Sequence, residues 1–183
     1  TENLPKCMLD FGRKTLLERQ LSAYRSCGID NISVIRGYKK NKINYKNLKY
    51  FDNKDYENNN VLNSIFYGEK VINGNVIIAY SDILFESNVI QRLLDSDHDI
   101  SVVVDIDWQG YYVDRKEHPI AEAENVIFNS NNEVVKIGKI STEKEEVHGE
   151  FIGMIKLTHR GSEIFKQNFH RVKNLYLNKP FQR

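Results

Sequence analysis

Short apolar runs along the chain alternate with stretches in which apolar residues recur at helical spacing. The most marked run lies in residues 75–85, NVIIAYSDILF, where Val76 to Tyr80 form a β-branched block too short for a helix. It reads as a strand buried on both faces that stops at Ser81-Asp82. Upstream, residues 4–9 read as a loop running into a short strand, with Phe11-Gly12-Arg13-Lys14 as its turn. Thr15 followed by Glu18 has the form of a capping box, and Leu16, Leu17, Leu21 and Tyr24 continue it as an amphipathic helix ending at Gly28. A strand over 31–35 leads into the loop Arg36-Gly37-Tyr38-Lys39, and a shorter one over 48–51 precedes a polar stretch, 52–60. Residues 61–72 carry helical spacing and turn at Asn73-Gly74.

After the central strand the pattern predicts a helix over 88–94 and a strand, Ile100–Asp105. Residues 125–137 carry Asn131-Asn132 between two alternating runs, a hairpin signal. A strand, Gly149–Leu157, and a helix over 161–177 complete the series. The apolar side of that helix, with Ile164, Phe165, Phe169, Val172 and Leu175, is available to pack on the sheet or on a second subunit. Strands alternating with helices at this spacing indicate an α/β fold with a mainly parallel sheet, in one domain over 1–183.

Composition narrows the function. Lys and Arg number 26 against 25 Asp and Glu, a formal charge of +1, so nothing draws the whole chain to nucleic acid or an anionic membrane. The basic residues from Arg36 to Lys49 form a solvated loop that could also touch phosphates. Cys7 and Cys27 stand alone, without a CxxC or a nearby His, which favours reduced thiols and a cytoplasmic setting. No apolar run is long enough to span a bilayer.

The candidate chemistry gathers where strands end. Ligands of open α/β sheets bind outside the carboxyl ends of the strands, which places Asp82 to meet a ligand or hold a metal ion. Its structural alternative is a cap for the next helix, although Ser87 and Asn88 are better placed for that. Lys6, presented by Pro5, suits contact with a phosphate as a point charge, and Lys139 follows Gly138 at another strand end. Either lysine could equally be an ordinary surface residue. Alternation would put Asp105 and Asp107 on one face, and Trp108, Tyr111 and Tyr112 follow them as a packed cluster or a box for a cationic head group. His118 with Glu122 and Glu124 is a weak metal signal and reads as a substrate loop. In His148-Gly149-Glu150-Phe151-Ile152-Gly153 the glycines flank a carboxylate and allow a ligand to approach the backbone closely.

The segments TENLPKCML, TLLERQLSAYRSCGI, RGYK, ENNNVLNS, YSDILF, IGK and HGEFIGM occur in an order that resembles the nucleotidyltransferases joining a nucleoside triphosphate to a phosphorylated sugar or alcohol. The resemblance spans nearly the whole chain. It is strongest to small cytidylyltransferases acting on phosphocholine or on phosphonates such as 2-aminoethylphosphonate, including domains fused to phosphoenolpyruvate mutase. It implies a Rossmann-like three-layer α/β sandwich with a mainly parallel mixed sheet, and transfer of CMP from CTP to a small phosphorylated alcohol or phosphonate with release of pyrophosphate.

The same resemblance implies a Mg²⁺ cofactor held partly by Asp82, Lys6 on the reacting phosphates and Lys139 on the acceptor phosphate. It puts Gly37, Tyr38, Asn59, Asn60, Ser64 and Ser81 on the nucleotide side, and Asp107, Trp108, Glu122 and Glu150 on the acceptor side. A homodimer or a fusion to another enzyme domain fits the pattern; nucleic acid and membrane do not. The family's glycine-rich loop, G-x-G-[ST]-R, is expected immediately before Thr1 and a second metal-binding Asp beyond Arg183, so the chain is expected to be part of a longer enzyme. The alternatives are a sugar-phosphate nucleotidyltransferase using another NTP, and a non-catalytic nucleotide-binding domain of the same fold.

Overall fold

A computed structural model describes residues 3–117, 119–140 and 146–176. Contacts divide the chain into two compact units, one holding the residues up to Ser101 together with those from Lys156 on, the other Val102–Ile155. The architecture is mixed α/β, as the sequence implies.

In the first unit α1 (Leu16–Ser26) begins at the expected capping box: the Glu18 N–H donates to Thr15 Oγ1 at 3.1 Å, and the Thr15 N–H donates to Glu18 Oε2 at 2.7 Å. Each bond satisfies a donor that a helix start would otherwise leave orphaned. Thr15→Ala is expected to lower stability by about 1 kcal/mol, read as a shift of the urea midpoint; an unchanged midpoint would mean that the box contributes nothing. The inward face of α1 buries Leu17 and Leu21 against Cys7 and Ile43, with Val34, Leu48 and Tyr50 packed around them. β1 (Ser33–Arg36) and β2 (Lys49–Asp52) pair in parallel, Ile35 opposite Phe51.

Several elements depart from the sequence pattern. Lys6–Met8 is a 3-10 turn and not a strand, because the Met8 N–H folds back onto the Pro5 carbonyl at 2.9 Å. The helix expected over 61–72 is only α2 (Val61–Phe66), followed by a separate 3-10 turn, Glu69–Val71. Gly68 interrupts it, and a Cβ there would stand 3.3 Å from Ile35 Cδ1. β3 (Val76–Ala79) is half-buried at all four positions, less enclosed than its apolar sequence suggests. α3 (Ser87–Leu94) has Glu86 as its N-cap with no side-chain cap bond, so neither Ser87, Asn88 nor Asp82 caps it.

β4 (Ile100–Asp105) and β7 (Gly149–Leu157) pair with each other. In the second unit β5 (Asn125–Phe128) pairs antiparallel with β6 (Val134–Gly138), the expected hairpin, and with β7, setting Asn125 opposite Glu150. β4 ends at Asp105, and Asp107 opens a 3-10 turn, Trp108–Tyr112. The alternation that would align the two carboxylates therefore stops; instead the Asp107 N–H donates to Asp105 Oδ1 at 2.9 Å.

α4 (His159–Tyr176) belongs to the first unit. Phe169 stacks on Phe66 of α2 with ring centroids 3.4 Å apart, Phe165 lies 5.4 Å from the same ring, and His170 Nε2 meets Glu69 Oε1 at 2.6 Å. The face considered for a sheet or a second subunit thus has a partner on α2. Both cysteines are free thiols, and among the described residues no helix is long and apolar enough to cross a membrane.

Candidate active site

The turn after β3 carries Ser81 and Asp82 to the strand's carboxyl end. Lys6, 76 residues earlier, reaches the same place from its 3-10 turn, Nζ 3.3 Å from Asp82 Oδ2. Both side chains are substantially exposed, at 67% and 38%, so the pair is open to solvent. Beneath them Cys7 is buried; burial pushes its thiol up, a hydrogen bond with Ser81 opposes that, and Asp82 adds to it. Lys6, Arg36, Gly37, Tyr38 and Ser81 border a cleft of about 290 Å³. Among the described residues no three His, Cys, Asp or Glu side chains gather to form a cage, so a hard divalent cation held at Asp82 would have to take most of its oxygens from a bound ligand.

Gly37 follows β1 where the chain turns under Tyr56: a Cβ at Gly37 would stand 2.6 Å from Tyr56 Cβ, which only glycine avoids. Tyr56 in turn meets Tyr38 edge-on at 6.3 Å. Arg36 pairs with Asp52 at 2.9 Å, donates to the Ile43 carbonyl and lies over the Tyr50 ring, which fixes the loop's base. Hydrogen bonding from Lys40, then from Arg36, holds the Asp52 carboxyl below the usual carboxylate range.

Of the nucleotide-side candidates, Asn59 and Ser64 are brought together by Asn53, a buried residue that sequence reasoning missed. Asn53 Nδ2 donates to Asn59 Oδ1 at 2.9 Å and Ser64 Oγ at 3.1 Å, and Asn59 Nδ2 returns a bond to Asn53 Oδ1 at 3.0 Å. Asn60 caps α2 by accepting from the Asn63 N–H at 2.9 Å. Inside the polar stretch 52–60 nothing distinguishes a buried Asn from its exposed neighbours.

In the second unit Tyr112 Oη donates to Glu150 Oε1 at 2.5 Å. Burial, then the Glu150 carboxylate, pushes the Tyr112 phenol up to about 12, so it stays protonated as a donor. The Arg115 guanidinium lies 5.5 Å from the Tyr112 ring centre, and Trp108 meets that ring edge-on at 5.8 Å. Trp108 itself is 1% exposed, a core residue backing Tyr112. Desolvation and the nearby Glu150 raise the Glu124 carboxyl, while the Lys139 ammonium lowers it, so Glu124, Glu150 and Lys139 share one electrostatic neighbourhood.

Gly138 adopts φ +133°, the unusual angle foreseen before Lys139. Buried Asn125 donates to the Ile140 carbonyl at 2.7 Å, tying down the backbone just past Lys139. Glu122 and Asp107 are exposed; Glu122 acts on Tyr112 through its charge, raising the phenol further. His118 lies outside the described residues. The Gly149 backbone does make a close approach, to β4: a Cβ would fall 2.4 Å from Val104 Cγ1 and 2.7 Å from the Asp105 carbonyl. His148 Nδ1 accepts from the Phe128 N–H at 3.0 Å and thereby anchors the strand start.

An acid and a lysine thus meet at the carboxyl end of a strand, beside a cleft under a glycine turn, in a mixed α/β chain. The chain belongs to the family of MobA-like NTP transferase domains, whose family model matches residues 2–129. It is 26% identical over 171 residues to the CTP:phosphoglutamine cytidylyltransferase of Campylobacter jejuni, covering 87% of this chain and 67% of that protein. It is 33% identical over 84 residues to the choline-phosphate cytidylyltransferase of Streptococcus pneumoniae, covering 43% of this chain and 37% of that protein. In fold it is similar to the inositol-1-phosphate CTP transferase of T. maritima, with TM-score 0.67 and 19% identity over 90% of this chain and 66% of that one.

Proposed function

We propose that this protein is a Mg²⁺-dependent cytidylyltransferase that moves CMP from CTP to a small phosphorylated alcohol or phosphonate and releases pyrophosphate. The observation that carries the reading is the Lys6–Asp82 pair at the carboxyl end of β3, in a chain of the NTP transferase family. The names of its relatives support the cytidylyl transfer and the phosphorylated acceptor: one is a CTP:phosphoglutamine cytidylyltransferase and another a choline-phosphate cytidylyltransferase.

An acceptor phosphate oxygen attacks the α-phosphorus of CTP in line, the bond to the bridging oxygen breaks, and pyrophosphate leaves. The acceptor is already anionic, so no protein nucleophile or base is required. When bound, Mg²⁺ supplies positive charge to the phosphate oxygens, and Asp82 is the side chain that would hold it. Lys6 neutralises charge on the reacting phosphates and Lys139 draws in the acceptor's phosphate, while positioning supplies the remainder of the barrier reduction. Around Tyr112, the carboxylates Glu124 and Glu150 and the aromatic ring suit an acceptor that carries an amine or quaternary ammonium opposite its phosphate.

Calorimetric titration of the full-length protein with CTP, UTP, GTP and ATP in Mg²⁺ tests the nucleotide half. CTP is expected to bind on the order of tenfold tighter than the others, the size of one well-placed base contact. Equal affinity for all four would overturn the assignment to CTP.

A further inference from the structure

Gln20 occupies the inward face of α1, beside Leu16, Leu17 and Leu21, and is 4% exposed. A buried primary amide is costly unless its hydrogens find acceptors, and a leucine would fill this face at no such cost. Gln20 Nε2 donates to the Tyr80 carbonyl at 3.0 Å and to the Ile83 carbonyl at 2.7 Å. Those two carbonyls stand on either side of Ser81 and Asp82. One amide, delivered by a rigid helix 60 residues earlier in the chain, therefore brackets the turn that carries the carboxylate.

We infer that Gln20 is a positioning residue, which sets the place of the Asp82 carboxylate by clamping its turn from below. The inference rests on the nucleotidyltransferase reading of Asp82. Ser81 also interacts with the buried Cys7 thiol of the 3-10 turn Lys6–Met8, so the turn meets that segment as well as α1. Lys6, the residue before Cys7, pairs with Asp82. The helix and the lysine turn thus both contact the turn that carries Asp82. A ligand group has to be held within a fraction of an ångström of its working position, and a helix-borne clamp achieves this better than a free loop.

Gln20→Met keeps the length and the apolar fill of the side chain and removes both donors. Hydrogen–deuterium exchange of the full-length protein without ligand is expected to quicken about tenfold in the peptide over 80–85 while α1 and β1 exchange as in the parent. Mn²⁺ affinity in the presence of CTP, read from the electron paramagnetic resonance signal of free Mn²⁺, is expected to fall about tenfold, with CTP affinity in the absence of metal unchanged. Local exchange at 80–85 equal to the parent, or an undiminished Mn²⁺ affinity, would overturn the inference. So would faster exchange spread over all of α1, the mark of a purely structural amide. If Gln20→Met does not fold, Gln20→Asn, one methylene too short to reach both carbonyls, is read by the same measurements with the same criteria. Asp82→Asn separates the two layers. Mn²⁺–CTP affinity that survives in Asp82→Asn overturns the metal reading of Asp82, whereas the exchange experiment judges the clamp by itself.

Discussion

Asp82→Ala in the full-length protein is expected to lower CTP-dependent pyrophosphate release by on the order of a hundredfold to a thousandfold, the usual consequence of losing one preorganised electrostatic stabiliser, here the metal ion that Asp82 would hold against the phosphates. The fold should not notice. Asp82 is not the cap of α3, and its ion pair with Lys6 is exposed, a kind of contact worth at most about 1 kcal/mol. The comparison is therefore clean: urea midpoint within error of the parent, turnover nearly gone. Turnover close to that of the parent would remove Asp82 from the chemistry and return it to the status of a surface carboxylate.

The largest effect on stability is expected at Gly161, at the start of α4. An alanine in place of a glycine inside an ordinary helix is worth about 1 kcal/mol of added stability. Here the sign reverses, because a Cβ would stand 1.9 Å from the Asp99 carbonyl oxygen and 2.8 Å from its carbon. Neither atom can swing away like the end of a side chain. Asp99 is tied to the same helix start by the Thr158 N–H, which donates to its carbonyl at 2.9 Å, and by the Thr158 hydroxyl, which donates to its Oδ1 at 2.7 Å. Thr158 Oγ1 also accepts from the Gly161 N–H at 3.1 Å. Moving α4 aside breaks this set, so Gly161→Ala should cost about 3 kcal/mol or more, seen as a lower urea midpoint. A midpoint at or above that of the parent would show that the helix start slides freely.

What could be read in the chain divides by distance along it. The capping box at Thr15 and Glu18, the hairpin at Asn131-Asn132 and the strand that stops before Ser81-Asp82 are written in neighbouring residues, and their physics is local. The unusual angle at Gly138 was legible for the same reason. The meeting of Lys6 with Asp82 was not, since no local rule couples residues 76 apart; only the motif order suggested a shared task. Gln20 and Asn53 were invisible for a different reason. A single amide on an apolar face or within a polar stretch looks alike whether it is solvated or bonded, and burial decides.

Errors came from over-extending a period. Strand alternation carried past Asp105 aligned it with Asp107, although the chain had already turned into the Trp108–Tyr112 segment. Helical spacing carried past Phe66 missed the break at Gly68. Gly149, beside Glu150, did mark a tight approach, and the neighbour it meets is the protein's own β4.

The most direct test of the account is pyrophosphate release by the full-length protein in Mg²⁺, with each of the four common NTPs set against phosphocholine, 2-aminoethylphosphonate and a hexose phosphate. The account predicts release with CTP and an amine-bearing phosphorylated or phosphonate acceptor, and none with the hexose phosphate. Release confined to another NTP and the hexose phosphate would contradict it.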